Sequence, residues 1–181
     1  MVPSTESPIT VDVVRDGRLR TRIHWEWSGD HVRIRAPRRI SKRELDRHVA
    51  EIVEKVKRRR AQTRARADAD LERMARKINR QYFDGELSWN SLRWVGNMKK
   101  RLGSCTTGGP TDGDIRISDR IKGWPNWVIE YVVAHEMAHR KFPNHSKTFW
   151  AYLNRYPKAE RARGFLKGIA YQTGEDADEW L

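Results

Sequence analysis

Cysteine occurs once, at Cys105, so no disulfide can form within the chain and a disulfide-framed secreted domain is excluded. The lone thiol favours a reducing, intracellular setting. Long apolar runs are also missing: no stretch approaches the roughly 20 residues that a membrane helix needs. Met1 to Thr10 has neither the basic flank nor the apolar centre of an export signal, so a cytoplasmic protein with no membrane partner is expected. Acidic residues are scarce beside basic ones, 24 against 37, which leaves a formal charge of +13. That balance favours contact with DNA or another polyanion through a salt-sensitive, sequence-independent attraction, although charge alone does not establish such a partner.

What is present suits one domain, or one domain with an appendage, and 181 residues are enough to bury a real core. Thr10 to Arg35 alternates as strands do, with Asp16-Gly17 and Gly29-Asp30 as turns, and predicts a β-hairpin or meander. Ser41 and Glu44 have capping-box spacing, and Leu45, Val49, Ile52, Val53 and Val56 form a helical stripe, so a helix from about Lys42 to Lys57 is expected. The basic run Lys55 to Arg66 reads either as a solvated helix end or linker, or as a phosphate-binding strip. It lacks the interleaved aromatics that stacking on single strands requires. A second helix, carrying Leu71, Met74, Ile78 and Tyr82, should stop at Asp84-Gly85. Leu87, Trp89, Leu92 and Trp94 suggest short extended pieces.

Ile115 to Ser118 alternates as a short strand, and with one free edge it would pair with an extended peptide; simple scaffold is the competing reading. Trp127 to Val133 is nearly continuous in apolar residues, so the helix that follows Pro125 is expected to be buried along its first half. Its second half carries His135, Glu136 and His139. Two histidines four apart project from one helical face and reach a single metal ion, while Glu136 between them is placed to take a proton from a metal-bound water. Pro143 disfavours helix at Phe142, so the helix should end near Lys141 and the chain should turn His145 back as a third ligand. Phe149, Trp150, Leu153 and Tyr156 then mark a second helix, ending before Pro157. The acidic stretch Glu175 to Glu179 is expected to fray.

A histidine pair at this spacing also arises on ordinary helices. Here three of the six histidines fall within residues 135–145, behind an apolar approach and around a helix stop, which favours a metal site. A closed structural site would want a fourth protein ligand, and Cys105 is the sole thiol available; an open position is favoured.

The run from Lys99 to Trp150 resembles the YgjP-like metallopeptidases. The matching parts are Lys99-Lys100-Arg101-Leu102-Gly103-Ser104-Cys105, Ile115-Arg116-Ile117, then His135, Glu136, His139, His145, Ser146 and Phe149-Trp150. Ala36 to Ser41 and the N-terminal hairpin also look like that group, whereas Asn79 to Leu87 is similar to the segment entering SprT-like protease domains. Leu102 stands where the group usually has tryptophan. The resemblance implies an α+β, small zincin-type metallopeptidase fold, with an N-terminal β-hairpin, a short sheet and an active-site helix pair. Residues 1–66 would form the hairpin and basic helix, 67–170 the catalytic domain and 171–181 an acidic tail.

The activity expected is hydrolysis of protein or peptide substrates, with Zn2+ on His135, His139 and His145 and with Glu136 as base. For SprT-like relatives the implied substrates are proteins attached to DNA. Arg101, Asn144 and Tyr131 are the donors considered for the carbonyl oxygen. Two rivals stand beside this reading: a nucleic-acid-binding module with a structural zinc, and a zinc hydrolase acting on a non-peptide amide.

Overall fold

The computed structural model describes residues 8–181, so the expectation for an export signal in the first ten residues lies largely outside them. The chain divides into two compact units, Met1–Ala65 and Arg66–Leu181. No described helix is long and apolar enough to cross a membrane.

In the first unit β1 (Thr10–Asp16), β2 (His24–Ser28) and β3 (His31–Pro37) form a sheet of order β1-β3-β2. Gly29, at φ 57°, closes the β2–β3 hairpin as expected. The meander is not formed, because β1 runs parallel to β3, with Val11 opposite Val32 and Val13 opposite Ile34. Two residues at Gly29-Asp30 commit β2 to one edge of β3, so β1 takes the other edge, and Leu19 and Ile23 fall in the crossover between β1 and β2. Val32 and Ile34 pack with Ile52 and Val56 in the core of this unit.

Helix α1 runs unbroken from Lys42 to Tyr82, where two helices with an intervening basic segment were expected. The reason is compositional. Lys55 to Asp70 contains no glycine or proline, and its Arg, Lys, Ala and Gln are strong helix formers, so lost amphipathicity did not mean lost helix. The Ser41 hydroxyl accepts from the Glu44 amide at 3.2 Å and caps its start. At the other end Asp84 and Gly85 adopt positive φ, and the Asn79 carbonyl accepts from the amides of Phe83 and Gly85.

The second unit holds β4 (Ser91–Val95), β5 (Gly103–Cys105) and β6 (Asp114–Ser118) in the order β4-β6-β5. β6 is therefore the central strand, parallel to β4 and antiparallel to β5, so it has no free edge, and the outer strands of the sheet are β4 and β5. Alternation shows that one face is buried but does not separate a central strand from an edge. Beside this sheet lie α2 (Asn126–Ala138), α3 (Lys147–Leu153) and α4 (Ala159–Thr173). The first two are the expected helix pair, and the α+β class holds. Helix α2 ends three residues earlier than Lys141, with His139 still in helical geometry as its cap.

Helix α4 escaped the sequence reading because its buried stripe is mostly small: Ala159, Ala162, Leu166 and Ala170. The segment after it was expected to fray and does not. Trp180 is buried against Trp124, its indole nitrogen donates to Glu175 at 2.8 Å, and its carbonyl accepts from the Leu102 amide at 2.9 Å. One aromatic ring buries enough surface to hold a short polar segment in place.

The buried Asn79 side chain clamps the turn after α1, donating to the Leu87 carbonyl at 2.8 Å and accepting from the Leu87 amide at 3.2 Å. Asn79→Ala leaves both main-chain groups unpaired and should destabilise the protein by about 1–3 kcal/mol in urea unfolding; an unchanged midpoint would reject the clamp.

Candidate metal centre

Helix α2 is buried from Val128 through Ala138, interrupted only by the half-buried Glu130, so a helix locked on nearly every side presents its last turn to one cavity. Pro125 sets its start, and Tyr156 donates to the Trp127 carbonyl and to Glu130. His135 and His139 leave the same face one turn apart. After them the chain bends at Phe142-Pro143, and Ser146 caps α3 by accepting from the Phe149 amide at 3.3 Å, which carries His145 back toward the other two.

The three Nε2 atoms converge. His135 and His139 are 3.2 Å apart, His135 and His145 2.9 Å, and His139 and His145 3.2 Å. Among the described residues this is the one His, Cys, Asp and Glu group close enough to share an ion. Phe149 backs all three rings, lying parallel to His139 at 4.7 Å and edge-on to His135 and His145 at 4.9 Å, while Trp150 stacks on His145.

The donor set fits a divalent cation. Nitrogens held tetrahedrally at about 2.0–2.1 Å from a metal stand roughly 3.3 Å from one another, close to the spacing here. The His139 Nδ1 donates to the Phe142 carbonyl at 3.0 Å, so its proton sits on Nδ1 and the Nε2 lone pair is free. All three rings are held below the ordinary histidine pKa by burial, most strongly His135, where the other two histidines add to the effect. Neutral imidazole is the form that ligates. The buried His135 Nδ1 has no hydrogen-bond partner.

Glu136 lies on the neighbouring face, almost fully buried, and burial pushes its carboxyl up to about 8 against the opposing pull of Arg101. Gly103 makes that burial feasible. A Cβ on Gly103 would lie 2.7 Å from Glu136 Cγ and closer still to Oε1, so β5 approaches the carboxylate at a distance that only glycine permits. Lys100, Arg101, Gly103, Glu136, His139 and His145 border one cavity of about 450 Å³.

Cys105 borders that cavity as well but stands outside the histidine group, and burial, with Glu136 nearby, pushes its thiol up to about 11. Leu102, at the position of the family's tryptophan, is fully buried in the core. Of the three donors considered for a carbonyl oxygen, Arg101 lines the cavity, whereas Tyr131 is fully buried and Asn144 points to solvent. Two contributors were not legible. Gly103 stood out only as part of the run Lys99 to Cys105, with nothing to tie it to Glu136, and Arg140 gave no signal beyond its charge. Arg140 makes a two-pronged pair with Asp112 at 2.9 Å and donates to the carbonyls of Ser88 and Thr106, tying the loops before β4 and after β5 to the residue beside His139. The same pair holds the Asp112 carboxyl down at about 2.

The YgjP-like, metallopeptidase domain profile matches residues 74–168. The chain belongs to this family. A metallopeptidase with a divalent metal is therefore the coarse identity of the second unit, and the YgjP-like span runs from the last turns of α1 through β4, β5, β6, α2 and α3 into α4. No curated protein matches the chain. A solved structure, the metallopeptidase zymogen of Pyrococcus abyssi abylysin, is similar with a TM-score of 0.48 and 18% identity, covering 59% of this chain and 97% of that one.

Gly103→Ala should destabilise the chelator-treated protein by about 1–3 kcal/mol through overpacking against Glu136. In a double-mutant cycle measured by urea unfolding, Glu136→Ala should absorb most of that cost. Additive effects would show that the two residues do not crowd each other.

Proposed function

We propose that this protein is a zinc-dependent peptidase in which His135, His139 and His145 hold the metal and Glu136 is the general base. The reading rests on one observation above others: three Nε2 atoms within 3.2 Å of one another beside a buried carboxyl that borders the same cavity. Zinc in such a set is a Lewis acid that lowers the pKa of a coordinated water to about 7.

The chain's own residues supply the rest. Burial makes Glu136 basic enough to accept a proton on a carboxylate oxygen and then to release it to a departing amine. With a divalent cation held by the three histidines, the Glu136 carboxyl would be drawn back toward its ionised form, the form that acts as base. Gly103 leaves the space that Oε1 occupies, and the Phe142 carbonyl fixes the proton position on His139. Arg101 is the cavity's donor for the charge that develops on the carbonyl oxygen. A purely structural zinc is disfavoured because no fourth His, Cys, Asp or Glu joins the group among the described residues.

A second reading, action on proteins at DNA, is favoured by the middle of α1. Lys55, Lys57, Arg58, Arg59, Arg64 and Arg66 are all exposed there, although Lys57 is paired with Glu54 and the cations of Lys55 and Arg59 lie over Trp25.

Glu136→Gln should keep one equivalent of zinc by mass spectrometry and lower cleavage of unfolded protein roughly 10²–10⁴-fold. Loss of metal in that variant would make Glu136 a structural element. No cleavage of such substrates by the zinc-loaded wild type would favour a non-peptide amide. Binding to duplex DNA should weaken steeply as salt rises; affinity indifferent to salt rejects the polyanion reading.

A further inference from the structure

A second cavity, of about 310 Å³, adjoins the one that holds Glu136. Its walls include the aromatic Trp150, the aliphatic Leu166 and two cations, Arg163 and Lys167. The two cavities share His145, Asp178 and Leu181, so the segment carrying Asp178 and Leu181 stands between them beside a metal-site histidine. Four cations therefore flank His145: Lys100 and Arg101 on one side, Arg163 and Lys167 on the other. The carboxyl groups on these walls are Glu136, Asp178 and Glu179. The last two come from a stretch with four acids in five residues, Glu175 to Glu179, within a chain of charge +13.

We propose that the cleft around His145 is a binding site for an acidic peptide segment, held by Lys100, Arg101, Arg163 and Lys167, and that the chain's own residues 175–181 border it as an internal stand-in. As a statement about substrate, this rests on the peptidase reading above. The stand-in is held as a displaceable ligand would be. Lys100 meets Glu179 at 3.1 Å with both side chains more than half exposed, a weak pair in water. Arg163 is paired with Glu160, whose side chain is 89% exposed, and its guanidinium lies 5.5 Å from the centre of the Trp150 ring on the same cavity wall, so only its acidic partner is loosely held. The main chain takes part too, through the Leu102 amide and the Trp180 carbonyl just ahead of β5. Buried Trp180 keeps the segment near the cleft whether or not its acids are seated.

The test uses full-length, zinc-loaded Glu136→Gln protein, which binds without cutting, and two labelled unfolded peptides of equal length, one rich in Glu and one with Gln in its place. The acidic peptide should bind about ten-fold more tightly. Asp178→Asn with Glu179→Gln, which spares Trp180, should tighten acidic-peptide binding severalfold, and Lys100→Glu with Lys167→Glu should abolish the preference while thermal melts confirm folding. Equal affinity for the two peptides, or no response to either pair of substitutions, overturns the proposal. Equal competition by single-stranded DNA of matched charge overturns it as well, since the cations would then read charge and not a peptide. If wild-type enzyme cleaves the Gln peptide as readily as the Glu peptide, the acidic preference fails and the peptidase reading stands. If the acidic peptide binds tightly and neither peptide is cut, the reverse holds.

Discussion

Three imidazole nitrogens facing one another at about 3 Å repel unless a cation lies among them, and the second unit is built so that they cannot move apart. Helix α2 is immobilised by burial on nearly all sides, which fixes His135 and His139 relative to each other. Phe149, delivered by α3, closes against all three rings and couples the loop holding His145 to that helix. The small sheet contributes through absence: the missing side chain at Gly103 is the space in which Glu136 sits. Burial costs the carboxylate its hydration, and the same cost makes it a better base.

Charge is distributed unevenly along the chain. Basic side chains crowd the middle of α1 and the cleft, and the acids that answer them at the cleft come from a single short segment anchored by Trp180. Exposed ion pairs of this kind hold position weakly, whereas the buried indole holds it firmly. The molecule thus combines a fixed histidine cluster with a border whose polar contacts are exposed.

Much of the centre was legible beforehand. His135, Glu136 and His139 lie on one helix, and helical periodicity alone brings them together, so they needed no long-range information. His145 required one further inference, that Pro143 ends the helix, and a proline's missing amide is a local fact. The β2–β3 hairpin was readable for the same reason, from Gly29-Asp30. The errors had a common cause. The parallel pairing of β1 with β3, the central place of β6 and the seating of Trp180 are all contacts between residues far apart in sequence, and no local pattern encodes which neighbour a strand edge or an indole will meet. Helix α1 differed for another reason: amphipathicity is one sign of helix, yet helix propensity carries the chain through Ala61 to Arg66, where every residue is exposed.

By itself the sequence determined the chemistry on offer: three histidines and a glutamate at helical and turn spacing, a single thiol, a surplus of positive charge and membership of a metallopeptidase family. Tertiary structure alone decided the glycine that makes room for Glu136, the arginine that ties two loops beside His139, and the acidic segment that meets the cleft's cations. Residue type and local geometry travel with the chain, whereas close approach between distant backbones exists only after the chain has packed.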